Sequence, residues 1–174
     1  MKLVIATEEG DAYFGLLAGI PNLDVIRVTT PDELAEEIVD ADVLYGRPDA
    51  KVLAAAKNLK LVQSQSAGVD FLMNFPELVE SDVILSNTRG AHAPSIAEHA
   101  FALLLSLTRK IPTSLDYQHK HQWRWDGSYR EPREIMGSTI GIVGYGQIGR
   151  AIAQRASGFE VTQLAVDLHP GGGD

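Results

Sequence analysis

The amino-acid sequence predicts an α/β chain in which one parallel-sheet domain is followed by the opening strand–helix–strand of a second. Three observations carry that expectation. Short apolar runs alternate with stretches of helical composition through the N-terminal half. The runs are continuously apolar, as in strands covered on both faces, and do not alternate apolar with polar. Finally, VGYGQIGRAIAQRA, Val143 to Ala156, joins an apolar run to a helical pattern through three glycines spaced G-x-G-x-x-G.

The elements follow in chain order. MKLVIATEEG begins with one lysine and a four-residue apolar run, Leu3–Ala6, too short for a secretory signal, so KLVIA (2–6) is read as a buried strand. DVIRV (24–28), DVLYG (42–46), LKLVQS (59–64) and DVILSN (82–87) are the next strands. TPDELAEEIVD (30–40) opens with a Thr cap, a Pro at the first helical position and acidic residues in the first turn, which together start a helix. AKVLAAAKN (50–58) has the composition of a short one. Such alternation implies a parallel sheet with helices on its faces. SIAEHAFALLLSLTRKI (95–111) follows Pro94 and is apolar on most faces, so it is expected to be buried, in a core or against another subunit. Residues 112–138, with HKHQWRWDGSYREPREIMG, have weak periodicity and are expected to form a functional or bridging loop. The boundary between domains is expected near residues 88–98, giving domains of 1–93 and 94–174.

Composition narrows the function classes. The net charge of −8 disfavours nucleic acid or an anionic membrane as partner, since both select a basic face. With no cysteine, the chain has no disulfide, thiolate nucleophile or zinc–thiolate site. The richest apolar stretch, AFALLLSL (100–107), is far short of the ~20 residues that span a bilayer. A soluble, cytoplasmic protein is expected.

The glycine turn carries the chemistry. After the strand TIGIV (139–143), Gly144 permits a tight turn, Gly146 lets a phosphate approach the backbone with no Cβ in the way, and Gly149 lets helix and strand pack closely. A pyrophosphate there would meet free N–H groups at the positive end of the helix dipole. VTQLAVD then supplies a second strand ending at Asp167, 18 residues past Gly149, where a carboxylate would hold the adenosine ribose hydroxyls. Its charge would repel a 2′-phosphate, so the cofactor expected is NAD.

Three segments extend this reading. LKLVQSQSAGVDFL (59–72), VILSNTRGAHAPSIAEHAFALLLSLTRKIP (83–112) and GSTIGIVGYGQIGRAIAQRA (137–156) resemble, in order, the Ser-x-Gly-x-Asp loop, the Asn-x-x-Gly with Ala-Glu-His helix, and the cofactor turn of the D-isomer-specific 2-hydroxyacid dehydrogenase family. The resemblance covers nearly the whole chain. It implies a flavodoxin-like outer, substrate domain followed by the first β-α-β of a Rossmann dinucleotide-binding domain. It also implies NAD(H)-dependent interconversion of a 2-oxoacid and a D-2-hydroxyacid in the cleft between them. The amides of Ala67 and Gly68 would hold the substrate carboxylate, those of Gln147 and Ile148 the pyrophosphate. Family dimers form through the dinucleotide domain, which gives the 95–111 helix a partner surface.

The family's catalytic arginine, glutamate and histidine lie beyond the second strand of that domain, where this sequence ends in LHPGGGD. No catalytic residue is therefore assigned, and a truncated chain, inactive alone, is expected. Phe159-Glu160 replaces the usual Phe-Gly, and Gln163 interrupts the last apolar run, which suggests an edge or partly exposed strand. An exposed edge would let a second copy complete the sheet. The alternative is a non-catalytic NAD-binding or interaction module, since relatives of this fold include NAD-binding corepressors.

Other residues are weighed against plainer roles. Arg47, after the third strand, is placed to pair with a substrate carboxylate, against a surface salt bridge. His119 and His121 lack the further ligands a metal needs, so none is expected. His92 and His99 are read as capping or packing a helix, Glu98 as a partner of its dipole, and Trp123 and Trp125 as buried beneath the domain interface.

Overall fold

Strand β1 (Lys2–Ala6) is an inner strand of a five-stranded parallel sheet whose strands, numbered along the chain, lie in the order 2-1-3-4-5, the flavodoxin-like order. The computed structural model describes residues 1–7, 10–17, 19–123 and 132–169. They form two compact units, Met1–Arg89 and Gly90–Asp174.

In the first unit, β1 is followed by α1 (Gly10–Leu17), β2 (Asp24–Arg27), α2 (Pro31–Glu37), β3 (Val43–Gly46), α3 (Ala50–Ala55), β4 (Leu61–Gln63), a 3₁₀ turn (Asp70–Asn74), α4 (Pro76–Val79) and β5 (Ile84–Ser86). All five expected strands are present. The local signals also form. Thr30 caps α2 in a full capping box, Glu33 N–H donating to Thr30 Oγ1 and Thr30 N–H to the Glu33 carboxylate. Asp49 caps α3 by accepting the Val52 N–H at 2.8 Å. The sheet pairs Val4 with Leu44 and Leu44 with Val62, and all three are fully buried with Ile38 and Ala41 in one core cluster. The sequence reading placed no element at 10–17 or 76–79, and both are helices.

The second unit holds α5 (Ala93–Thr108), α6 (Ile111–His119), β6 (Thr139–Val143), α7 (Gln147–Ala156) and β7 (Thr162–Val166). β6 and β7 pair in parallel from Thr139↔Thr162 to Val143↔Val166, with α7 as the crossover: one β-α-β unit. α5 packs on α7. Buried Ala97 and Phe101 belong to the first helix, Ala153 and Ala156 to the second, and the three alanines let the backbones approach. Glu98 pairs with Arg155 at 2.7 Å, and Phe101 stacks on Phe159 with centroids 5.1 Å apart.

In the helix expected at 95–111, Ala93, Ala97 and Phe101, at i, i+4, i+8, face inward, while Leu103 and Leu107 are more than half exposed in the single chain. Two expectations are corrected here. Part of the expected 112–138 loop is the helix α6, with Pro112 in its first turn, a start signal that weak periodicity concealed. Trp123 is 91% exposed, not buried; Trp125 lies outside the described residues. Among the described residues, no helix is long and apolar enough to cross a membrane.

Candidate functional site

The glycine turn is built by backbone constraints that can be read one by one. Gly144 leaves β6 with φ +89°, a left-handed conformation that favours glycine, and its N–H closes the turn onto Val166 O at 2.8 Å. Gly149 is required by packing: a Cβ there would lie 2.1 Å from Gly144 O and 3.3 Å from Ile142 Cγ2. Gly146 is different. It is the N-cap of α7, and a Cβ on it would meet nothing within 4 Å. The chain itself does not need a glycine there, whereas a diphosphate laid against the helix end would. No side chain caps α7, and the N–H groups of Gln147 and Ile148 have no acceptor among the described residues. Both residues are exposed, so these amides form an open, positively polarised helix end.

Asp167 stands directly beyond β7, at this turn. Its Oδ1 accepts the His169 N–H at 2.9 Å and its Oδ2 accepts the Tyr145 N–H. These amides, that of His169 first, hold its carboxyl below the usual aspartate range, so it is ionised at neutral pH. A carboxylate offers about four lone-pair sites, so the two amides leave acceptor capacity for hydroxyl groups. At the next peptide, Arg150 Nε donates to Tyr145 O at 3.0 Å, and its guanidinium lies 6.0 Å from the Tyr145 ring centroid. Tyr145 is thereby held at both its N–H and its C=O.

A second locus lies in the first unit, at the carboxyl ends of β3 and β4. A recess of about 260 Å³ is lined by Gly46, Arg47, Ser64, Ser66, Gly68 and Asp70, among others. The Arg47 guanidinium sits 4.9 Å from the Phe71 ring centroid. Among the described residues no carboxylate pairs with it, so it stands free of the salt bridge that was its plainer role. The loop after β4 is folded by its own hydroxyls. Ser66 N–H donates to buried Ser64 Oγ at 3.2 Å, and Gly68 N–H to Ser66 Oγ at 3.1 Å. Asn87 Nδ2 holds Ala67 O at 3.0 Å, and Thr88 Oγ1 holds Gln65 O at 2.9 Å. Ala67 N–H is left without an acceptor among the described residues; Gly68 N–H becomes available only when the Ser66 hydroxyl turns away.

Residues 101–172 match the family model described as D-isomer specific 2-hydroxyacid dehydrogenase, NAD binding domain. The chain belongs to the D-isomer specific 2-hydroxyacid dehydrogenase family. Glyoxylate reductase of Thermofilum pendens is 34% identical over 79% of this chain and 42% of its own length. Hydroxypyruvate reductase of Thermotoga maritima is 34% identical over 78% of this chain and 45% of its own length. The chain thus spans less than half the length of these curated relatives. A crystal structure of a D-isomer specific 2-hydroxyacid dehydrogenase family protein from Aeromonas salmonicida superposes with a TM-score of 0.85. It shares 31% identity and covers 95% of this chain and 53% of that one.

Within this dehydrogenase fold, the structure gathers the sequence-predicted residues at two loci. Gly144, Gly146, Gln147, Ile148, Gly149 and Asp167 meet at the turn of the second unit; Arg47 and Gly68 line the recess of the first, and Ala67 belongs to the same loop without lining it. Other candidates play different parts. Glu98 does not serve the helix dipole; it pairs with Arg155. His92 begins α5 without a side-chain cap bond, and both it and His99 are exposed. Among the described residues no three His, Asp or Glu side chains converge as a metal site requires. Sequence reasoning missed Arg150. One signal for it was present: a cation in the first turn of a helix opposes the dipole, so it calls for a local partner.

Proposed function

We propose that the chain carries the NAD(H)-binding turn and the substrate-carboxylate loop of an enzyme that interconverts a 2-oxoacid and a D-2-hydroxyacid. The observation that carries this is the ionised Asp167 carboxylate on the Tyr145 N–H, beside the open amides of Gln147 and Ile148. The residues fit the cofactor by an independent measure, since the space a Cβ on Gly146 would fill is open.

When bound, NAD(H) supplies or accepts the hydride. The rest falls to the chain's own groups. The α7 amides fix the diphosphate, and charge-assisted bonds to backbone N–H are the strong kind. Asp167 takes the ribose hydroxyls and turns away a 2′-phosphate by like-charge repulsion. In the first unit, Ala67 N–H and the Arg47 guanidinium bind the substrate carboxylate, with Phe71 holding the guanidinium plane. We assign the acid/base of the reaction to none of the described residues. His92 and His99 are exposed on α5, and His119 ends α6. Cofactor binding, not turnover, is the property we propose for these 174 residues alone.

The test is a calorimetric titration of the chain with NADH and NADPH, repeated for Asp167→Ala. We expect NADH to bind at least tenfold more tightly than NADPH, and the variant to lose that preference. Equal affinities in the unaltered chain, or an unchanged preference in the variant, would contradict the reading.

A further inference from the structure

Gly90 opens the second unit with a left-handed backbone, φ +91°, and its carbonyl accepts the Ala93 N–H at 3.1 Å, closing the turn that leads into α5. A Cβ at this position would fall 2.3 Å from Gln147 Oε1, 2.8 Å from its Cδ and 2.9 Å from its Nε2. The head of the Gln147 side chain therefore rests on the Gly90 α-carbon, in the space any other residue would occupy. That head makes no hydrogen bond among the described residues, and its contact is with the Gly90 turn. Gln147 is also the first residue of α7, and its backbone N–H is one of the open amides of the turn. One residue thus faces the diphosphate locus with its backbone and the start of α5 with its side chain.

We propose that Gln147 is a positioning residue that latches the Gly90 turn, and that filling the diphosphate locus tightens the latch. This rests on the cofactor reading above. An anion bound to the Gln147 N–H restrains that residue's backbone. Because allowed rotamers depend on backbone angles, the side chain loses alternatives to its place on Gly90. The coupling is reciprocal: whatever affinity the latch lends the anion, the anion returns to the latch. Sequence requirement follows at both ends. Position 90 favours glycine by its φ, and any side chain there would displace the Gln147 head from the turn. Position 147 must carry a side chain long enough to reach it.

The experiment is amide hydrogen exchange on the whole chain, read at the Ala93 N–H, with and without NADH. It compares the unaltered protein with Gln147→Ala and with Gln147→Met, which keeps the length and bulk. Without NADH, exchange in Gln147→Ala is expected roughly three- to tenfold faster, and in Gln147→Met within about twofold of the unaltered rate. NADH is expected to slow exchange in the unaltered protein and not in Gln147→Ala. The proposal is overturned if Gln147→Ala exchanges at the unaltered rate, if Gln147→Met fails to restore it, or if NADH binds without slowing Ala93. Failure of NADH to bind at all would sink the cofactor reading and the coupling, while the comparison without NADH still decides the latch.

Discussion

In the first unit Val4, Leu44 and Val62 are fully buried on neighbouring strands, and the loops that line the recess grow from those strands. In the second, every residue of β7 is exposed and Ile142 is the one fully covered side chain of β6. The two loci are therefore made rigid by different means. The recess loop inherits order from a closed core and adds only hydroxyl bonds of its own. The cofactor turn is specified by the backbone: the Gly144–Val166 bond, the space denied at Gly149, and Tyr145 held at its N–H by Asp167 and at its C=O by Arg150.

That contrast is open to direct attack. The largest effect is expected from Leu44→Ala, which empties a fully buried site and costs about 2–5 kcal/mol in urea unfolding. Leu164→Ala, on the exposed strand β7, is expected to cost less than about 1 kcal/mol, so similar losses at the two positions would erase the distinction. Gly149→Ala comes next. Its methyl meets a backbone carbonyl 2.1 Å away, so the helix must shift, at a cost of about 1–3 kcal/mol and with loss of NADH binding. Binding retained in that variant would show that the turn is not set by its backbone. The smallest effect is a gain. Glu160 sits at φ +54°, where its side chain opposes the backbone, so Glu160→Gly is expected to raise stability by about 0.5–1 kcal/mol in thermal unfolding.

What the sequence disclosed follows the same division. Strands in the first unit were legible because DVLYG and LKLVQS carry short β-rich apolar cores, Val43–Tyr45 and Leu61–Val62, between polar flanks. β6 and α7 were legible because the glycines at 144, 146 and 149 sit at fixed offsets from both. The unusual pair Phe159-Glu160 was visible as a departure, and the structure gives its physical content: a non-glycine residue in left-handed backbone. Other features depend on distance between residues far apart in sequence. No local pattern shows that Gln147 meets Gly90, or that Arg47 lies over Phe71. The engagement of Gly68 N–H by Ser66 Oγ was hidden for another reason, since the rotamer of a serine is not written in the residue order. α6 was missed because IPTSLDYQH lacks an apolar stripe, and its start depends on Lys110 adopting a left-handed cap.

The most direct measurement is chemical-shift mapping of the labelled chain against NADH. The account predicts that the amides of Tyr145, Gln147 and Ile148 and the side-chain carboxylate of Asp167 shift first and together, while core amides such as Leu44 and Val62 stay still. Shifts confined to other residues, or an Asp167 carboxylate unmoved while NADH binds, would contradict it.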